Sequence, residues 1–142
     1  MNKGFTLVEL VVIIGIFSAL AVFGVSTYRA VGARNDLVLA VPKTVPAHRT
    51  AYVRARSMTD DMPWGVNIIQ GEAVVFRGPS YVGRDTEADT VYMLSPRVVP
   101  SGATEIVYAK FTGLPNSTGD IILTLNNEAQ AITINEQGAV LY

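Results

Sequence analysis

The chain has 142 residues, 49% of them apolar, with 11 basic and 12 acidic side chains and no cysteine. That size supports one domain with a modest core, and the apolar content argues against disorder. Near-neutral charge gives no general attraction to nucleic acid or anionic lipid, and the absence of cysteine excludes disulfides, zinc thiolates and thiol catalysis.

Apolar character is concentrated at the start. Phe5 to Val25 reads FTLVELVVIIGIFSALAVFGV, 21 residues with one charge, Glu9. A helix of that length would span about 30 Å, the hydrocarbon thickness of a bilayer. As a secretory signal peptide it would offer Lys3 as the basic region and Ala19-Leu20-Ala21 as a cleavage site. Glu9 argues against that and against a plain anchor, because a carboxylate at membrane depth costs about 2.5–3.5 kcal/mol and needs a partner.

Lys3-Gly4-Phe5-Thr6-Leu7-Val8-Glu9-Leu10 closely resembles the cleavage and methylation motif of type IV pilins and type II secretion pseudopilins. The resemblance implies cleavage between Gly4 and Phe5 by a prepilin peptidase, which also methylates the new amine of Phe5. It further implies that Glu9 neutralises the Phe5 amine of a neighbouring subunit in a fibre. A buried amine and carboxylate are each costly alone and tolerable as a pair. Many members carry a helix-bending proline about where Ser26 stands; this chain does not.

Beyond the apolar run, Val31, Val38, Val41, Val45, Tyr52 and Ala55 recur at helical spacing, with Arg34, Asp36, Lys43, Arg49, Arg54 and Arg56 mostly off that stripe. Pro42 and Pro46 interrupt it, which predicts a kinked helix from Phe5 to about Met58 or two helices with a break at 42–46. Asp60-Asp61-Met62-Pro63 ends the helical pattern. From Trp64 the pattern becomes strand-like: Val66–Ile69, Ala73–Phe76, Thr90–Leu94, Glu105–Phe111, Ile121–Leu125, Gln130–Ile134 and Ala139–Leu141, with turns at Asn126-Asn127 and Asn135–Gly138. Ile121, Leu123, Ile132 and Ile134 are expected to face the helix, and Thr124 to face away.

The expected fold is therefore α+β and pilin-like. It has a leader (1–4), one long N-terminal helix (5–58) whose first part (5–25) spans the membrane, and a soluble β-rich domain (59–142) with one antiparallel sheet on the helix. The succession from Arg54-Ala55-Arg56-Ser57 through Trp64-Gly65-Val66 to the closing strands also resembles the GspH/FimT-like minor (pseudo)pilins. The implied function is structural: a non-enzymatic subunit of a pilus or pseudopilus. Its implied partners are other pilin subunits, the prepilin peptidase/methyltransferase and an inner-membrane assembly platform. It would sit in the inner membrane as a single-pass protein, its C-terminal domain outside, before entering the fibre. No cofactor is implied.

Three other chemistries bear on the sequence. His48, the single histidine, reads as a helix-surface residue with no catalytic or metal-binding companion. Asp85, Glu87 and Asp89 form a weak candidate calcium loop, set against a solvated acidic loop. The alternative function is that of a FimT-like minor pilin binding DNA. Arg49, Arg54 and Arg56 cluster, but Gly113 to Tyr142 lacks any Lys or Arg while holding Asp120, Glu128 and Glu136, which argues against a polyanion site.

Overall fold

The computed structural model describes the backbone of residue 4 and residues 6–142, and their side chains except 24–31 and 33. Lys3, Phe5 and the side chains of Ser26, Arg29 and Val31 therefore lie outside the described residues. The chain divides into two compact units, Met1–Gly32 and Ala33–Tyr142.

Helix α1 (Leu7–Arg56) contains both Pro42 and Pro46. Both prolines are exposed, so the carbonyls they free can be hydrated, and the break at 42–46 does not occur. In the first unit the helix starts at Thr6, whose hydroxyl accepts the Glu9 N–H at 3.2 Å. Thr6 and Glu9 thus hold the N-cap and N3 positions of a capping box. The helical residues with described side chains here are 7–23, 17 in number. Every one of them is exposed to some degree, Leu7 and Phe23 at 80% and 74%.

In the second unit α1 buries one face: Leu37, Ala40, Val41, Thr44, Val45, Ala47, His48, Ala51 and Ala55. The expected stripe needs correction at Val38, which is 52% exposed. Its neighbour Leu37 points inward instead. After a short 3₁₀ turn (Thr59–Asp61), eight strands follow: β1 (Trp64–Ile69), β2 (Glu72–Arg77), β3 (Asp85–Met93), β4 (Val99–Gly102), β5 (Glu105–Tyr108), β6 (Gly119–Leu125), β7 (Glu128–Ile134) and β8 (Val140–Leu141). They form two antiparallel four-stranded sheets, ordered β3-β2-β1-β5 and β4-β6-β7-β8.

This corrects the expected fold in two respects. The strands make two sheets rather than one: β5 pairs with β1 and not with β6, while β4, which the sequence did not suggest, pairs with β6 at the edge of the second sheet. The chain then crosses to the first sheet within two residues, and the Ile68 N–H donates to Thr104 C=O at 2.8 Å. In addition, the long apolar membrane-crossing helix is not found: among the described residues no helix is long and apolar enough to cross a membrane. The transmembrane assignment of 5–25 and the single-pass inner-membrane placement are overturned with it.

The core of the second unit is one cluster fed by all three layers. Val41, Val45 and the alanines come from α1, Val66, Ile68 and Ile106 from the first sheet, and Ile121, Leu123, Ile132 and Ile134 from the second. The β6–β7 register pairs Ile121 with Ile132 and Leu123 with Gln130, turning at Asn126-Asn127. Alternation then places Ile121, Leu123 and Leu125 inward, with Asp120 and Ile122 exposed and Thr124 half-buried. Trp64 closes the helix end: its indole N–H donates to Thr59 C=O at 3.0 Å while the Arg54 guanidinium lies 4.6 Å from its ring centre.

Candidate functional site

At the N-terminus, Gly4 is exposed and no atom lies within 4 Å of where its Cβ would be. The inferred cleavage bond between Gly4 and Phe5, and methylation at Phe5, fall at the edge of the described residues. Glu9 is exposed in the first turn of α1. There its carboxylate faces the positive end of the helix dipole. The sequence reading missed this local role, although Thr6-Leu7-Val8-Glu9 is a readable capping signature.

The acidic trio is not a loop. Asp85, Glu87 and Asp89 lie in β3 at alternate positions. Asp85 is hydrogen-bonded to Arg77, which also pairs with Asp60 at 2.9 Å. Arg77's guanidinium, then the Glu87 backbone N–H, hold the Asp85 carboxyl below its ordinary range. Asp89 pairs with Arg84 at 2.9 Å. Two of three carboxylates are committed to guanidinium groups, and no metal-binding group of acids or histidines occurs among the described residues.

His48 also needs correction. It is fully buried, and its Nδ1 is 2.9 Å from the Tyr108 hydroxyl. Burial lowers its pKa to about 4 and raises that of Tyr108. Its Nε2 and the hydroxyl of Thr44, one turn earlier, are buried without a hydrogen-bond partner. A charged imidazole would therefore present a second N–H to no acceptor. The sequence signal was present but read past: His48 lies between Ala47 and Ala51, on the face that the alanines bury.

Tyr108 connects this pair to the surface. Tyr52 meets it edge-on at 5.9 Å, and Arg56 donates to the Tyr52 hydroxyl at 3.0 Å. Two turns close over the Tyr52 ring at Gly113 (φ 70) and Gly138 (φ 76). A Cβ on Gly113 would come within 2.8 Å of the ring, and one on Gly138 within 2.9 Å of the Gly113 carbonyl oxygen. Only glycine permits both the left-handed backbone and this approach.

Beside that closure is an open cavity of about 340 Å³ lined by Arg49, Tyr52, Gln137, Gly138, Ala139 and Val140. Arg49 is the one charged side chain in its wall, and it is exposed with no ion pair among the described residues. The basic trio is thus divided. Arg54 is half-buried on Trp64 and donates to Thr90, Arg56 is engaged by Tyr52, and Arg49 alone faces the cavity.

No protein-family model matches this chain, and no solved structure is similar to it.

Proposed function

We propose that the chain is a structural subunit of a type IV pilus or a type II secretion-like pseudopilus. In this reading a prepilin peptidase matures it between Gly4 and Phe5, and copies polymerise through the apolar stretch Leu7–Phe23. The observation that supports this most is the unmet burial of that stretch. Leu7, Val8, Leu10, Val11, Ile14, Phe17, Leu20 and Phe23 are all more than half exposed, on every side of the helix. A helix apolar all round requires apolar surroundings. None of these residues belongs to the buried core cluster of the second unit. Each such side chain covered by a neighbour contributes about 1.5–3 kcal/mol.

Glu9 fits the same reading. Its exposure leaves the carboxylate available to a neighbouring amine at Phe5, and an unpaired carboxylate in an apolar bundle penalises misregistered copies. Other pilin subunits and an assembly platform are the partners this requires, and the role is not enzymatic.

Intact mass and N-terminal sequencing of the purified mature protein test the processing step: the expected product begins at Phe5 and carries one N-methyl group. A product beginning at Val22 would mean a signal peptide and end the fibre reading. Glu9→Val is expected to leave the amount of protein in cells unchanged while depleting it from sheared filaments; wild-type incorporation would remove Glu9 from assembly.

A further inference from the structure

The second sheet carries complementary features at its two ends. At one end the turn between β7 and β8 forms a wall of the 340 Å³ cavity, whose charge is the unpaired Arg49. At the other end the β6–β7 hairpin projects: Asn126, Asn127 and the first four residues of β7, Glu128 to Ala131, are all exposed. β8 pairs only with Thr133 and Ile134, so the outer edge of Glu128–Ala131 has no strand beside it among the described residues. Glu128 is the one charge on this tip, and it makes no ion pair among the described residues.

The tip cannot enter its own chain's cavity. Seven-residue strands separate the two ends of the hairpin by about 20 Å. A second copy displaced along the strand direction brings tip and cavity together. We infer that the β6–β7 hairpin tip of one copy docks in the Arg49–Tyr52 cavity of the next, with Glu128 paired to Arg49.

Charge decides the occupant. From Gly113 to Tyr142 there is no Lys or Arg, so the tip brings no cation to Arg49, and Arg56 adds positive potential beside Tyr52, against which the exposed Glu136 next to Gln137 acts in the opposite sense. The rest of the cavity wall is the Tyr52 ring with Gln137, Gly138, Ala139 and Val140, which suits the Asn-Asn-Glu-Ala tip better than a polyphosphate, whose binding requires several free cations. Because donor and acceptor surfaces differ, the contact is head-to-tail, and where the rotation between copies does not close it repeats into the open filament that the fibre reading requires. It rests on the fibre reading and deepens it by naming a contact between the second units.

Absence of native cysteine makes a direct test possible. Asn127→Cys marks the tip and Ala139→Cys the cavity wall. Full-length chain carrying both is oxidised in sheared filaments, or in detergent if no filaments are recovered. The expected result is a ladder of covalent multimers from the double variant and none from either single one. Arg49→Glu should reduce the ladder about tenfold or more, Glu128→Arg likewise, and the two together should restore it. Filaments without a ladder overturn this contact and leave the fibre reading standing. A ladder without filaments supports the contact and removes the fibre reading, and absence of both removes both. A ladder unaffected by Arg49→Glu overturns the charge pairing. Salt-sensitive DNA binding lost with Arg49→Glu, in a chain that forms no ladder, assigns the cavity to a polyanion and overturns the inference.

Discussion

The two described stretches of α1 handle apolar side chains in opposite ways. Residues 7–23 are almost wholly apolar, yet exposed on all sides. Residues 34–56 contain few large apolar side chains, and their buried face is built from Ala40, Ala47, Ala51 and Ala55 around Leu37, Val41, Val45, Thr44 and His48. Here Leu39 and Val53 face outward, although each is more apolar than the alanines beneath. Burial follows from what stands opposite a position, not from its hydropathy. The alanines share one core with apolar residues of both sheets, whereas every described side chain of the first stretch is exposed. The difference separates a segment that stabilises this fold from one whose described apolar side chains stay exposed.

The comparison breaks first if the packed stretch is not closed by the second sheet. Leu123→Ala removes a fully buried side chain facing the helix and should cost about 2–5 kcal/mol, measured as a large fall in Tm of the full chain in detergent. Reducing agent should leave wild-type and variant melting unchanged. A wild-type Tm for Leu123→Ala would show that the helix and this sheet do not share one core.

Acid sharpens the same point through the buried imidazole. His48 has a folded pKa of about 4 against an ordinary 6.5, so as pH falls the unfolded chain takes up a proton that the native one refuses. Stability from this group is full above about pH 6.5 and is lost progressively toward about pH 4, by about 3 kcal/mol in total. Denaturant titrations at pH 7 and pH 5 should reveal the loss, and His48→Phe should flatten this part of the pH dependence. A profile that His48→Phe leaves unchanged would place the acid sensitivity in other groups.

Smaller effects test the exposed stretch. Thr6→Ala removes the N-cap acceptor for the Glu9 N–H and should cost about 1 kcal/mol, seen as fraying of the first turn by hydrogen exchange. Its effect on the Tm of the second unit should be negligible. Smallest of all is Thr124→Ala, outward in β6, expected within about 0.5 kcal/mol of wild type. The ratio of Leu123 to Thr124 effects measures how strictly the strand alternation is enforced.

Strand alternation was legible because each burying position is marked by a β-branched or large residue. Ile121, Leu123, Ile132 and Ile134 are buried as their spacing implied, and the Asn-Asn turn sets the observed register. β4 was not legible: Val-Pro-Ser-Gly has no strand-like alternation and is a strand because β6 offers it hydrogen bonds. The division into two sheets lies elsewhere, in β5 returning to β1 instead of pairing with β6, and no local pattern marks it. The acidic trio was misjudged for a different reason: its charges suggested a loop, although Arg77 and Arg84, only eight and five residues from Asp85 and Asp89, pair with them and let the segment run as a strand.

By itself the sequence determined the local matters: the capped start at Thr6, the apolar run, the strand faces of β6 and β7, the turn between them and the absence of cross-links. Each depends on residues within a few positions of one another, where covalent spacing fixes geometry. Only the tertiary structure decided that His48 is interior, that the strands divide into two sheets, and that Arg49 lies beside the Gln137–Val140 turn. Those outcomes join residues about 20 to 90 positions apart. A contact of that range depends on the entropy of closing the chain and on the shape of both surfaces, and neither is written in the local pattern.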